Sequence, residues 1–161
     1  MSTARPEQLY EADFYAWTRE QARELRRLAR TRPNVPLDLA HIAEEIQDLG
    51  KSEYEATFSL TQRIIEHLLL IEHSPASDQH LHWCDEIDDF RDGIDRKLSP
   101  SIRRRLKRDL GTAFARACRR VRRKMERYGE TQAAATLPAQ CPYTLDQVLG
   151  AWLPEVGAPA P

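Results

Sequence analysis

The chain has no glycine-rich phosphate loop, no C-x-x-C pair, no Asn-Gly turn, no alternating apolar pattern and no internal repeat. The missing phosphate loop removes the common nucleotide-binding folds, and the missing alternation and hairpin turns leave nothing from which to build a sheet. Its three cysteines, Cys84, Cys118 and Cys141, are odd in number and widely spaced. That excludes a disulfide framework and fits a reducing cytoplasm, the expected location. The longest strictly aliphatic run is Leu68-Leu69-Leu70-Ile71, far short of the roughly 20 residues that cross a bilayer. No membrane span and no membrane partner are expected, and the polar start through Tyr15 lacks the apolar stretch of a signal peptide. A formal net charge of −1 excludes a protein that is basic or acidic throughout. No serine-nucleophile motif occurs, so no catalytic residue is legible.

What is present is helical periodicity. Between Asp38 and Pro75, Leu39, Ile42, Ile46, Leu49, Ala56, Leu60, Ile64, Leu68 and Ile71 recur at steps of three, four or seven, which places them on one helical face. Unbroken, that helix would span roughly 50 Å, long for a domain of this size. Gly50, followed by the capping-box pattern Ser52-Glu53-Tyr54-Glu55, predicts a break there. Upstream, Asp13 caps a helix running to about Arg32, with Phe14, Trp17, Gln21, Leu25 and Leu28 along its inner line. Pro33 and Pro36 end it.

Downstream, Ser77 or Asp78 opens a third helix whose inner line is Trp83, Ile87, Phe90, Ile94 and Leu98 and whose other faces are acidic. Ser99-Pro100 is a cap followed by the first helical position, so a fourth helix starts where the third stops, as an antiparallel hairpin. That helix carries Ile102, Leu106, Leu110, Phe114, Ala117, Val121, Met125 and Tyr128 on one line and ends at Gly129. Its remaining faces hold half of the chain's 24 lysines and arginines. After a loop from Glu130 to Pro142, Thr144-Leu145-Asp146-Gln147 forms a capping box for a short last helix. The expected fold is all-α: an up-down-up-down four-helix bundle with a broken second helix and a short C-terminal helix. One helical domain over residues 1–154 and a flexible tail over 155–161 are expected.

Five segments carry a family resemblance. YEADFYAW (Tyr10 to Trp17), LDLAHIAEEIQDLGKSE (Leu37 to Glu53), HLLL (His67 to Leu70), Trp83 in HWCDEI and CPYTLDQVL (Cys141 to Leu149) stand in the order found in a bacterial family known as domain of unknown function twenty-nine. The chain resembles that family over nearly its whole length. It differs at His82, at Leu137 before Pro138, and at Leu70-Ile71, where the family pattern has Ser, Phe and Lys. The resemblance implies a compact helical protein and brings no activity.

Two groups of side chains are candidates for a site. His41, Glu44, Glu45 and His67 have the atom types of a metal or acid–base centre, with His41 and Glu45 four apart on a helix. His67 would reach them only if the chain folds back at Gly50, and the paired Glu-x-x-His motifs of di-iron bundles are missing. Against a metal-dependent enzyme using His41, Glu45 and His67 stands the plainer reading of His67 as a hydrogen-bonded core histidine. His73, His80 and His82 lack the spacing of a closed zinc site. No metal or cofactor is expected.

The second group is the basic helix, with Arg116, Arg119, Arg120, Arg123 and Arg127 as candidate polyanion contacts. Against a nucleic-acid partner stand the lack of interleaved aromatic residues and the acidic segment before it, which would sit alongside in the hairpin and neutralise it. The leading expectation is therefore a cytoplasmic helical protein that acts by interaction, a homo-oligomer among the options, with nucleic-acid binding through residues 103–127 as the alternative.

Overall fold

A computed structural model describes residues 6–155. Along these residues run α1 (Pro6–Ala12), α2 (Phe14–Arg30), α3 (Leu39–His73), α4 (His80–Asp95), α5 (Pro100–Arg127), α6 (Thr131–Ala135) and α7 (Leu145–Leu149), with one 3-10 turn at Ser77–Gln79. The protein is all-helical, with no strand among the described residues. Among them, no helix is long and apolar enough to cross a membrane. The tail expected from residue 155 lies, beyond Glu155 itself, outside the described residues.

The helix ends follow local chemistry. Asp13 caps α2, accepting the Ala16 N–H at 3.0 Å, and Ser99 Oγ accepts the Ile102 N–H of α5 at 3.3 Å. Thr144 and Gln147 close a reciprocal capping box on α7. Gly129 takes φ +79° after the last turn of α5, the left-handed conformation that glycine adopts without strain.

The expected break in the second helix does not occur: α3 is one helix of 35 residues, about 52 Å long. Gly50 is helical and buried. A Cβ built on it would lie 2.0 Å from Thr18 Oγ1, so the glycine is there to let α2 come close, not to turn the chain. Ser52 and Glu55 stand exposed mid-helix instead of forming a cap.

The chain divides into two compact units, Met1–Ala56 with Leu98–Arg104 and Thr57–Lys97 with Arg105–Pro161; α3 and α5 each contribute to both. In the first unit α2 and the start of α3 run antiparallel, with Tyr15 beside Tyr54, Thr18 beside Gly50 and Arg26 hydrogen-bonded to Gln47 at 2.7 Å. The buried line of α2 is Tyr15, Thr18 and Ala22. The expected line is displaced outward, for Phe14 and Trp17 are half-buried and Leu28 is exposed. They are not idle: Tyr10 of α1, a helix the polar start did not announce, sets its ring edge-on to Phe14 and Trp17.

In the second unit α4 runs antiparallel to α3, with Glu86 on His67, Phe90 under Arg63 and Gly93 against Leu60. The α5 segment runs parallel to α3, since Arg116 covers Phe58, Arg120 meets Glu66 and Glu130 meets Ser74. Ile64, Ile65, Leu68, Leu69, Ile71, Ile87, Ile94, Leu106, Val121 and Met125 fill the space between them. The closing segment docks through two polar anchors. Buried Arg91 donates Nε to Val148 O and Nη2 to Gln147 O and Trp152 O, gathering two C-terminal carbonyls of α7 and one from the segment after it. Tyr143 donates its hydroxyl to Glu72, and burial together with that carboxylate pushes the phenol well above its usual range. The expected loop after Gly129 contains α6, whose Thr136 C-cap hydroxyl accepts from His73 Nδ1 at 3.0 Å.

Candidate polyanion interface

In the second unit α5 sorts its residues by size and charge. Ala113, Phe114, Ala117, Cys118, Val121 and Met125 are buried, and the opposite face carries Arg116, Arg119, Arg120, Arg123 and Arg127, all exposed. At 3.6 residues per turn those five lie within an arc of about 100° and extend about 16 Å along the helix. Arg116 lays its guanidinium over Phe58, 5.4 Å from the ring centre. Arg120 meets Glu66 at 3.3 Å, a surface contact worth about 0–1 kcal/mol and so too weak to withhold the arginine from a phosphate. Arg119, Arg123 and Arg127 have no hydrogen-bond or ion-pair partner among the described residues.

Of the acidic segment expected to neutralise them, Glu66 meets Arg120 and α4 contributes nothing among the described residues. Among the described residues no carboxylate of α4 pairs with a cation of α5: Glu86 goes to His67 and His82, and Asp88 to Arg91 of its own helix. The reason is the hairpin itself. Helices packed through Trp83, Ile87 and Ile94 on one side and Leu106, Val121 and Met125 on the other turn their charged faces outward.

The other candidate group is not assembled. His41 is exposed and held by Asp38, whose carboxylate takes the His41 backbone N–H at 3.2 Å and contacts ring Nδ1 at 2.6 Å. The ring hydrogen bond and the Asp38 charge raise the His41 pKa, and the ring and backbone hydrogen bonds from His41 lower that of Asp38. Glu44 and Glu45 point to solvent. His67 stands 26 residues farther along α3, in the second unit, and the chain makes no turn at Gly50 to fold back.

His67 is a core histidine with both nitrogens occupied. Nδ1 donates to the Arg63 carbonyl at 2.8 Å and Nε2 lies 2.6 Å from Glu86 Oε2. A carbonyl takes only an N–H, so the second contact needs a proton between Nε2 and the carboxylate, and no lone pair is left for a metal. Burial pushes the Glu86 carboxyl up, but the His67 hydrogen bond and the charges of His67, His82 and Arg63 outweigh it and hold it low. His73, His80 and His82 go separate ways: His73 to Thr136, His80 tilted against Trp83, His82 toward Glu86 at 3.6 Å. Among the described residues no group of three or more His, Cys, Asp or Glu is placed to hold a metal ion. The sulfurs are equally quiet, since burial raises the Cys84, Cys118 and Cys141 thiols above their ordinary range.

Comparison with known proteins agrees with this fold. The model of a domain of unknown function, DUF29, matches residues 9–153. The chain belongs to the DUF29 family. A crystal structure of an alpha-helical protein of unknown function from Rhodospirillum rubrum is similar to it at 31% sequence identity and a TM-score of 0.78, over 87% of this chain and 88% of that one. No curated protein matches the sequence. The fold of this DUF29 member is thus shared with its crystallised neighbour, and neither comparison attaches a substrate, ligand or partner to it.

Proposed function

We propose that this DUF29 protein is a cytoplasmic interaction module that binds the phosphate backbone of a nucleic acid through Arg116, Arg119, Arg120, Arg123 and Arg127. One observation carries the reading: an ordered file of guanidinium groups on a single helical face, three of them without a partner among the described residues. Each fork matches the geometry of a phosphate and stays charged at any physiological pH. The chain's near-zero net charge comes from carboxylates spread along it, and among the described residues only Glu66 reaches this face. Three thiols, none in a disulfide, agree with a reducing compartment.

Binding of this kind releases counterions, so the logarithm of affinity falls with the logarithm of salt concentration, with a slope of about −4.5 if all five arginines meet phosphates. Replacing Arg119, Arg123 and Arg127 together by Gln should flatten that slope to about −2, because about 0.9 is lost per phosphate contact. Fluorescence anisotropy with a labelled oligonucleotide measures both, and a wild-type protein that binds no oligonucleotide at low salt overturns the proposal. A second reading is self-association, favoured by the exposed carboxylates Asp85, Asp89, Asp92 and Asp95 on α4, which would meet the arginine face of another copy. Sedimentation at low salt separates the two: a dimer that dissociates with salt and competes with oligonucleotide supports the second.

A further inference from the structure

Beside the arginine face, in the second unit, lies a cavity of about 340 Å³ with an apolar floor of Leu70, Trp83 and Met125. Its size falls in the range of small-ligand sites, about 300–1,000 Å³, and an apolar floor under a few polar groups is their usual construction. Lys124, Tyr128 and Glu130 stand around it, with Asp78 and Gln79. Lys124 extends its ammonium over Trp83, 5.9 Å from the ring centre. It also lines an adjoining groove of about 250 Å³ with Arg120 and Glu66, so the cavity adjoins the basic face through Lys124 and Leu70.

Tyr128 is the feature that packing does not explain. It continues the apolar line of α5, yet it is 71% exposed. Its position is fixed all the same. The Tyr128 N–H bonds back to Lys124 O and Met125 O, and the Glu130 N–H returns to Met125 O at 2.8 Å across the left-handed Gly129, a closure that locks the last turn. The result is a backbone locked at the edge of an apolar cavity with a large ring projecting from it, next to a helix face that suits phosphates. The polar edge is rich in acceptors. Glu130 takes the Ser74 hydroxyl at 3.1 Å, and Asp78 takes the Gln79 amide at 3.1 Å, its other oxygen and the Gln79 side-chain carbonyl having no partner among the described residues. Carboxylates repel phosphate but accept hydrogen bonds from exocyclic amino groups.

We propose that this cavity receives one unstacked base of a single-stranded nucleic acid, with the base ring against Tyr128, an amino-bearing edge toward Asp78 and Glu130, and the flanking phosphates on Lys124, Arg120 and Arg127. The assignment rests on the backbone-binding reading above and adds the strandedness of the partner. It also supplies the aromatic platform that the sequence does not interleave among the arginines.

The test compares three fluorescein-labelled probes of about 12 nucleotides, within the usual span of single-strand sites: oligo-deoxyadenylate, an abasic strand of equal charge, and a duplex. Wild-type protein should bind the adenylate strand about 10-fold tighter than the abasic strand, the scale of one base stacked on an aromatic ring, and tighter than the duplex. Tyr128→Ala, at a position too exposed to endanger folding, should bring adenylate and abasic strands within about 2-fold while leaving the salt slope unchanged, and Tyr128→Phe should restore the preference. The triple Arg119, Arg123, Arg127→Gln variant should do the reverse, flattening the slope and keeping the preference. Equal wild-type affinity for adenylate and abasic strands, or a duplex bound more tightly, overturns this inference and leaves the backbone reading standing. Failure to bind any probe at low salt overturns both.

Discussion

The two units of this protein solve the same packing problem with residues of different size. In the first, the fully buried positions along the α2–α3 seam are Thr18, Ala22 and Ala43, with Gly50 opposite Thr18, and bulk enters mainly as Tyr15 and Tyr54. In the second, the same α3 offers Ile64, Ile65, Leu68, Leu69 and Ile71 to Ile87, Ile94, Leu106, Val121 and Met125. A seam of small residues sets how close two backbones come, whereas a block of branched aliphatics fills a volume. One helix therefore serves two kinds of contact, and α3 stays unbroken because each half is held along its own length.

That contrast predicts different penalties. Leu68→Ala in the aliphatic block removes buried methyl groups that no neighbour can replace, and should cost about 2–5 kcal/mol in a denaturant titration. A loss below about 1 kcal/mol would mean that the block relaxes around the gap and is not packed as tightly as its burial implies.

In the small-residue seam the damaging change is an addition. Gly50→Ala would ordinarily help a helix by up to about 1 kcal/mol. Here the new methyl would meet Thr18, with Oγ1 at 2.0 Å and Cβ at 3.1 Å. Because Thr18 Oγ1 is tied to Tyr15 O at 2.9 Å, swinging it aside forfeits a buried hydrogen bond. The net effect should be a loss of about 1–3 kcal/mol, the scale of overpacking, and Thr18→Ala in the same chain should recover part of it. If Gly50→Ala stabilises the protein, the glycine is a helix-weakening accident and the seam is looser than described.

The same contrast explains what could be read in advance. The aliphatic unit was largely legible: Trp83, Ile87 and Ile94, then Leu106, Phe114, Ala117, Val121 and Met125, are buried as their spacing predicts, while Phe90 and Leu110 are half-buried and Tyr128 is exposed. Hydrophobicity and burial coincide when the buried residues are large. In the small-residue unit they part, since Thr18 and Ala22 are buried and Leu28 and Leu49 are exposed, and only the distant Gly50 accounts for it. Caps at Asp13, Ser99, Thr144 and Gly129 were legible because a cap is decided within four residues. The short helices α1 and α6 were not, having little periodicity of their own to show. As for the site, the arginine spacing on α5 was plain, but that Arg119, Arg123 and Arg127 have no partner among the described residues depends on which way the helices turn. The closing of His67 onto Glu86 and of Arg91 onto Val148, Gln147 and Trp152 joins residues from different helices, which no local pattern records.

The smallest of these effects is electrostatic and belongs to the first unit. Asp13 is buried and serves two helices at once: one oxygen takes the Ala16 N–H of α2, and the other takes the Ser101 N–H of α5 at 2.8 Å. Burial alone would raise its pKa, but the hydrogen bonds from Ala16, Ser101 and Ser99 outweigh it, and the carboxyl sits below the ordinary aspartate value. A group with a depressed folded pKa contributes stability that is complete above its unfolded value of about 3.9 and is lost as pH falls through the folded one. Asp13→Asn keeps an oxygen for Ala16 but turns an amide N–H₂ toward Ser101, setting donor against donor, and should cost about 0.5–2 kcal/mol at neutral pH. Urea titrations from pH 7 down to about pH 3 should show that cost constant at first and shrinking below about pH 4, as the wild-type carboxyl takes up its proton. A difference that stays the same across that range would mean that Asp13 acts by shape alone, and that the charge adds nothing to the two helix ends it joins.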